Sequence, residues 1–265
     1  MLNLDFWNSV EPADLFQSVS AEENRKYVVR VLRSLTPDRV WTNIIAEQVE
    51  AGHIEVRCFV SWLARKLQPR AYLEVGVRRG FSIAMVAAQC PEAEIYGFDS
   101  WTPNYSNVEN PGSRFVQSEM ERIGYRKKVH LIDGNSHETL PVFFEDKAEV
   151  GWKLRKKQEF VNKPDVFELI TIDGDHSLLG AYQDLKNVMP HCAIGGVVIF
   201  DDIAPDLSIL SPTDLEIVRR ELGEDPYGWG SLLGVWRAIQ QQFSNFRYFE
   251  YTKNSPGAGL AVRLS

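Results

Sequence analysis

Three aspartates and a histidine stand together in one stretch of this chain. Residues 167–203 read FELITIDGDHSLLGAYQDLKNVMPHCAIGGVVIFDDI. One apolar run, Leu169-Ile170-Thr171-Ile172, ends on Asp173, and a second, Val197-Val198-Ile199-Phe200, ends on Asp201-Asp202. Strands apolar throughout belong to a parallel sheet covered on both faces. Between them Leu178, Leu179, Tyr182, Leu185 and Val188 keep helical spacing, which predicts strand–helix–strand. The acids then lie past the carboxyl ends of two parallel strands, the edge where open α/β sheets bind ligands. Neighbouring strands run ~4.8 Å apart, so Asp173, Asp201 and Asp202 can converge on one hard divalent cation. His176 stands beside them as a candidate proton acceptor. The plainer alternatives are a turn capped by Asp201-Asp202 and a His176 that only partners Asp175.

Two earlier loops reach the same edge. Ala71–Val75 reads as the first strand and runs through Glu74, Gly76, Gly80 and Ser82 into a helix over Phe81–Gln89. A glycine-bearing turn from strand into helix lets a ligand approach the backbone and offers it helix N-terminal amides. Its spacing is not the dinucleotide GxGxxG. Glu94–Phe98 is the second strand and ends on Asp99, placed either to meet ribose hydroxyls or to cap its own turn. Trp101, just after it, either flanks a base or packs in the core. Val129–Ile132 is the third strand and closes on Asp133-Gly134-Asn135-Ser136-His137, a loop at the same edge that can touch a base.

The elements that must hold these loops follow from periodicity. Residues 1–20 carry no clear pattern and read as irregular. Ala21–Leu35, Asp38–Glu50 and Glu55–Leu67 read as helices, the first with Tyr27, Val28, Val31 and Leu32 on one face. They predict an N-terminal helical extension over residues 1–68, acting as cap, lid or dimer surface, ahead of a sheet domain over residues 69–265. Helices are expected at 114–123, 138–144 and 231–243. The charged segment 145–163 reads as a helical insertion. Residues 204–230, rich in Pro, Asp and Gly, leave from the ligand edge and read as a lid with one helical piece. Phe246–Tyr251 and Leu260–Leu264 close the sheet as an antiparallel pair. The expected fold class is α/β: a Rossmann-like, doubly wound, mostly parallel seven-stranded sheet with an antiparallel closing strand.

Composition narrows the partners. The 265 residues are 44% hydrophobic and 25% charged, which is ordinary globular material. A net charge of −7 argues against a nucleic-acid backbone as partner. The basic run Lys153–Lys157 reads as a solvated helix face. Three widely spaced cysteines without a CxxC read as buried thiols in a reducing compartment. The N-terminus lacks a signal-peptide pattern and no apolar stretch is long enough for a bilayer, so a cytoplasmic protein with no membrane partner is expected. A homo-oligomer is compatible with all of this.

Taken in order, the loop sequences resemble the class I S-adenosylmethionine-dependent methyltransferases. Strand 1 ends ExGxxxGxS, strand 2 ends in Asp, GNS follows strand 3, IDGDH follows strand 4 and FDD follows strand 5. Within that class the pattern is similar to the metal-dependent O-methyltransferases, the group of catechol O-methyltransferase. The wording of residues 170–203 is closer still to macrocin-type sugar O-methyltransferases. The resemblance implies that Glu74, Gly76, Gly80 and Ser82 lie under the methionine moiety, that Asp99 holds the ribose, and that Ser136 and His137 touch adenine. It implies Asp173, Asp201 and Asp202 as ligands of a divalent metal, usually magnesium (Mg2+), and Asp173 and His176 as catalytic residues. The expected reaction is methyl transfer to a hydroxyl, fitting a vicinal diol, of a small molecule such as a sugar or natural product. His176 stands where the catechol enzymes have a lysine, and their later substrate-binding acid has no counterpart here. Two other classes compete: a nicotinamide-dependent oxidoreductase on a similar sheet, and a non-catalytic S-adenosylmethionine-binding protein.

Overall fold

The computed structural model describes residues 3–37, 41–103, 109–144, 163–204, 231–253 and 256–265. Its strands are β1 (Ala71–Val75), β2 (Glu94–Asp99), β3 (Val129–Asp133), β4 (Phe167–Ile172), β5 (Cys192–Asp201), β6 (Phe246–Tyr251) and β7 (Ala258–Arg263). They form one seven-stranded sheet in the order β3-β2-β1-β4-β5-β7-β6. Pairs from β3 through to β5 are parallel, and β7 runs antiparallel to both β5 and β6. The sheet is therefore the doubly wound, mostly parallel one expected. Strand order reverses between β1 and β4, and such a switch point opens a crevice at the carboxyl ends of the strands.

Ten α-helices are described: α1 (Leu4–Ser9), α2 (Pro12–Ser20), α3 (Glu22–Ser34), α4 (Trp41–Glu50), α5 (Val56–Leu67), α6 (Phe81–Gln89), α7 (Ser113–Arg122), α8 (Ser136–Phe144), α9 (Leu178–Val188) and α10 (Leu232–Gln242). Strand alternation divides the core between two faces. Tyr72, Leu169, Ile199 and Leu260 pack with α1 to α7, whereas Leu73, Ile170, Val198 and Ala261 pack with α8, α9 and α10. The helices before β1 thus supply one apolar layer of the sheet, with Trp7, Leu15, Val28, Leu32, Phe59 and Leu63 fully buried. No helix among the described residues is long and apolar enough to cross a membrane.

Three sequence expectations need correction. Residues 1–20 are not irregular but hold α1 and α2. Asn3 caps α1 by accepting the Phe6 N–H at 3.0 Å, and Pro12 begins α2 at a position where its missing N–H costs nothing. Short helices, each little longer than one or two turns, leave almost no period to read. Second, β5 starts at Cys192, so Gly195 and Gly196 lie inside the strand; Gly195 takes φ +78° and the register against β4 shifts between Phe167 and Leu169. Third, α8 begins at Ser136 and carries Pro141 in its interior. The expected insertion at 145–163 and lid at 204–230 lie, but for their end residues Lys163 and Ala204, outside the described residues.

Candidate active site

The site begins at the switch point. The Asp173 N–H donates to the Val75 carbonyl at 2.8 Å, carrying the β1–β4 ladder one residue past the strand. Gly76 follows with φ +89°, and a Cβ there would lie 1.8 Å from the Asp173 carbonyl oxygen. The glycine expected under a ligand is therefore first required by the loop that carries Asp173. Gly80, at φ +76°, caps α6 against Val116, and Ser82 is buried in the first turn of that helix.

Asp173, His176 and Asp202 each bring a ligand atom to within 4.8 Å of the others. His176 Nε2 lies 3.3 Å from Asp173 Oδ1, and Nδ1 lies 2.9 Å from Asp202 Oδ2. Asp202 reaches this position through a left-handed backbone, φ +60°, uncommon for a non-glycine residue but tolerated by aspartate. Asp201 parts from its neighbour. It extends the alternation of Val197 and Ile199 onto the α5 face, is buried, and its Oδ1 has no hydrogen-bond partner among the described residues. Burial pushes the Asp201 carboxyl well above the usual carboxylate range, and Asp202 and Asp173 push it further. Burial works against charge on His176, yet Asp173 and Asp202 together raise it to about 11. The imidazolium bridging two carboxylates occupies the centre of the acidic cluster. A buried acid with one oxygen unbonded beside two more carboxylates is an environment that a divalent cation relieves. The carboxylates of Asp173 and Asp202, with Asp201 behind them, fit such an ion.

Arg57, from α5, was not foreseen in the sequence. Its Nη2 lies 3.8 Å from Asp173 Oδ2, and its Nη1 donates to Glu55 Oε2. Burial works against its charge, but Glu55, Asp173 and Asp201 outweigh that and hold the guanidinium protonated. Glu74 shares this face of the sheet, where the Tyr72 hydroxyl donates to its Oε2 at 2.8 Å and sits 2.9 Å from Thr171 Oγ1. Burial raises Glu74 well above the usual carboxylate range, against the lowering effect of the Tyr72 hydroxyl. Nothing in the spacing of Arg57 marks it, because it sits among inward apolar residues of an amphipathic helix. Breaking a buried charge pair costs about 3–5 kcal/mol. Arg57→Met is expected to lower stability by an amount near the lower end of that range, because its partners are partly reached by water. Urea unfolding of the variant checks it.

Asp99 ends β2 beside the β1 turn. Its Oδ2 accepts the Arg78 N–H at 2.7 Å, and its Oδ1 accepts the Trp101 N–H at 2.6 Å and Asn110 Nδ2 at 3.2 Å. The capping role weighed in the sequence is thus present, and the carboxylate retains lone-pair capacity for a further donor. Trp101 turns its indole N–H to Asp133 Oδ1 at 2.7 Å. Ser136 opens α8, and the His137 ring faces inward, 3.7 Å from Asp184 and 3.8 Å from Asp175. Asp99→Ala is expected to weaken S-adenosylhomocysteine binding by about 1.5–3 kcal/mol, the worth of a charge-assisted contact. Calorimetry that finds unchanged affinity would remove Asp99 from the pocket.

Residues 73–203 match the family described as a methyltransferase domain, which spans β1 through the turn after β5. Three solved structures share the fold. A methyltransferase from Podospora anserina bound to SAH is 16% identical, with 99% of this chain and 97% of that chain covered and a TM-score of 0.56. The O-methyltransferase TomG from Streptomyces achromogenes, involved in tomaymycin synthesis and in complex with SAM, is 17% identical over 100% of both chains at 0.52. An O-methyltransferase from Bacillus cereus in complex with SAH is 15% identical, covering 98% of this chain and 100% of that chain at 0.51. The nicotinamide alternative loses its footing here, since the matched segment holds every loop that would have bound the dinucleotide. A methyltransferase domain over residues 73–203, carried on this strand order, makes this chain an S-adenosylmethionine-dependent methyltransferase.

Proposed function

We propose that this protein is an O-methyltransferase assisted by a divalent cation, with a small-molecule hydroxyl, best a vicinal diol of a sugar or natural product, as acceptor. The observation that carries the reading is the cluster of Asp173, His176 and Asp202 at the switch point, with the buried acid Asp201 behind it. A divalent cation held by these carboxylates would lower the pKa of an acceptor hydroxyl and orient it. Two of the solved structures of the same fold are named O-methyltransferases. S-adenosylmethionine would lie along Glu74–Ser82 with its ribose at Asp99 and its base near Ser136 and His137.

The residues divide the work. Gly76 keeps the β1 turn close to Asp173, which would bring the methyl donor and the acceptor site together, and such positioning supplies much of the rate. His176 is the nearest proton acceptor, but as an imidazolium between two charged acids it has no lone pair to offer. It becomes a base only when positive charge on Asp173 and Asp202 releases it. Transfer of labelled methyl to sugar, polyketide and catechol acceptors, with and without Mg2+, tests the reading. Full transfer in excess EDTA would sink the metal assignment.

A second measurement needs no acceptor. Both Asp201 and His176 have raised pKa values in the folded chain. The stability each contributes is complete below its unfolded pKa and is lost as pH rises towards the folded value. The metal-free chain should therefore lose stability on going from about pH 6 to about pH 8.5, where a cation that displaces these protons helps most. Mg2+ is expected to raise Tm more at the higher pH. An equal shift at both would mean that no proton leaves.

A further inference from the structure

Asp184 has no part in the reading above, yet it is the costliest residue of α9. It sits in the helix interior, 0% exposed, and neither carboxylate oxygen meets full hydrogen-bond geometry among the described residues, although the Ser136 side chain and the Asp175 backbone approach it. Aspartate is a poor helix former, and an acid in an apolar interior is strongly disfavoured. Burial raises its carboxyl to about 6, while the Ser136 side chain, the His137 ring and the Asp175 backbone pull it back.

Its surroundings come from two ligand loops. From the loop after β3, His137 brings Nε2 to 3.7 Å from Asp184 Oδ1 and 3.8 Å from Asp175 Oδ2, and that nitrogen also lacks a hydrogen-bond partner. From the loop after β4, a Cβ on Gly174 would lie 3.5 Å from Asp184 Oδ2, so the backbone passes directly over the carboxylate. Asp175 Oδ1 accepts the Ser177 N–H at 2.8 Å at the start of α9. A Cβ on Gly180 would stand 2.0 Å from Asp175 Oδ2, so this glycine makes the room for the Asp175 side chain. Contacts of 3.7–3.8 Å between a ring nitrogen and carboxylates fall just outside hydrogen-bond reach. A shift of well under 1 Å closes them.

We propose that Asp184 is a positioning residue that ties the Ser136–His137 loop to the Asp173–Ser177 loop, so that filling the cofactor pocket sets the segment bearing Asp173 and His176. The inference rests on the cofactor pocket but not on the metal. When S-adenosylhomocysteine holds Ser136 and His137, the imidazole closes on Asp184 and Asp175, and the start of α9 stiffens.

Amide hydrogen exchange on the full chain, with and without S-adenosylhomocysteine, reads this directly. In the wild type the ligand is expected to slow exchange over Asp175–Ala181 by about tenfold or more. In Asp184→Asn that protection should fall below about twofold, while Val75–Ser82 stays protected because the ligand still binds there. Asp184→Leu removes the acid at a fully buried helix position and replaces it with apolar packing, so it remains informative if Asp184→Asn does not fold. Equal protection of Asp175–Ala181 in wild type and Asp184→Leu overturns the proposal. So does a wild type that binds the ligand without protecting this segment. A wild type that binds no S-adenosylhomocysteine overturns the cofactor pocket itself, and the proposal with it.

Discussion

Asp173→Asn is expected to reduce methyl transfer by at least ~100-fold while S-adenosylhomocysteine still binds. Substitutions around metal ligands already cost ten- to a hundredfold, and Asp173 is central to the cluster. Its Oδ1 faces His176 and its Oδ2 faces Arg57. Asparagine keeps the shape and the backbone, so the Gly76 turn packed on the Asp173 carbonyl is undisturbed. What disappears is the negative charge, and with it one of the two acids that raise the pKa of His176 and, on the proposed function, one anionic ligand of the cation. Turnover with labelled donor, calorimetry with S-adenosylhomocysteine and titration with Mn2+ separate the effects. Near-normal turnover in the variant would show that Asp173 serves the fold rather than the chemistry.

Gly76→Ala should do more harm to the molecule than any change of charge. The added methyl meets backbone, not a side chain that can swing away: the Asp173 carbonyl oxygen at 1.8 Å, its carbon at 2.3 Å and Gly174 Cα at 2.7 Å. Alanine must also adopt φ +89°. Left-handed strain and overpacking each cost about 1–3 kcal/mol, so a loss on the order of 4 kcal/mol is expected, enough to threaten a marginally stable domain. Because one loop lies on the other, S-adenosylhomocysteine affinity and the cation cluster should fail together. Urea unfolding and calorimetry on the same preparation check both, and a variant as stable as the wild type would mean that the two loops are not in contact.

Much of this was legible because strand ends are read from local pattern. β1 was placed residue for residue at Ala71–Val75, and the acids past β2, β4 and β5 lie at the sheet edge where an apolar run gives way to Asp. The sequence also brought Asp173, His176 and Asp202 to one place. It could not show that Asp201 and Asp202 diverge, since that depends on a single left-handed residue at the end of β5. Nor could it show Arg57 or Asp184. Each is a polar residue at a buried helical position, where periodicity expects an apolar one, and its meaning lies in partners more than a hundred residues away or across a helix. His130 and His191 stack on Tyr96 and Phe144.

The pairing of Glu55 and Arg57 bears on how this enzyme is to be recombined with others. A boundary drawn by sequence at residues 68 and 69 treats everything before β1 as interchangeable. Yet the first turn of α5 carries a cation that faces Asp173, so grafting foreign helices at that seam would change the charge beside Asp173 as well as one apolar layer of the sheet. A chimera that preserves activity should be joined in the Ala51–His53 turn, keeping α5 with the acids it faces. Swaps made upstream then leave Glu55 and Arg57 in place, whereas swaps made downstream change the electrostatics first.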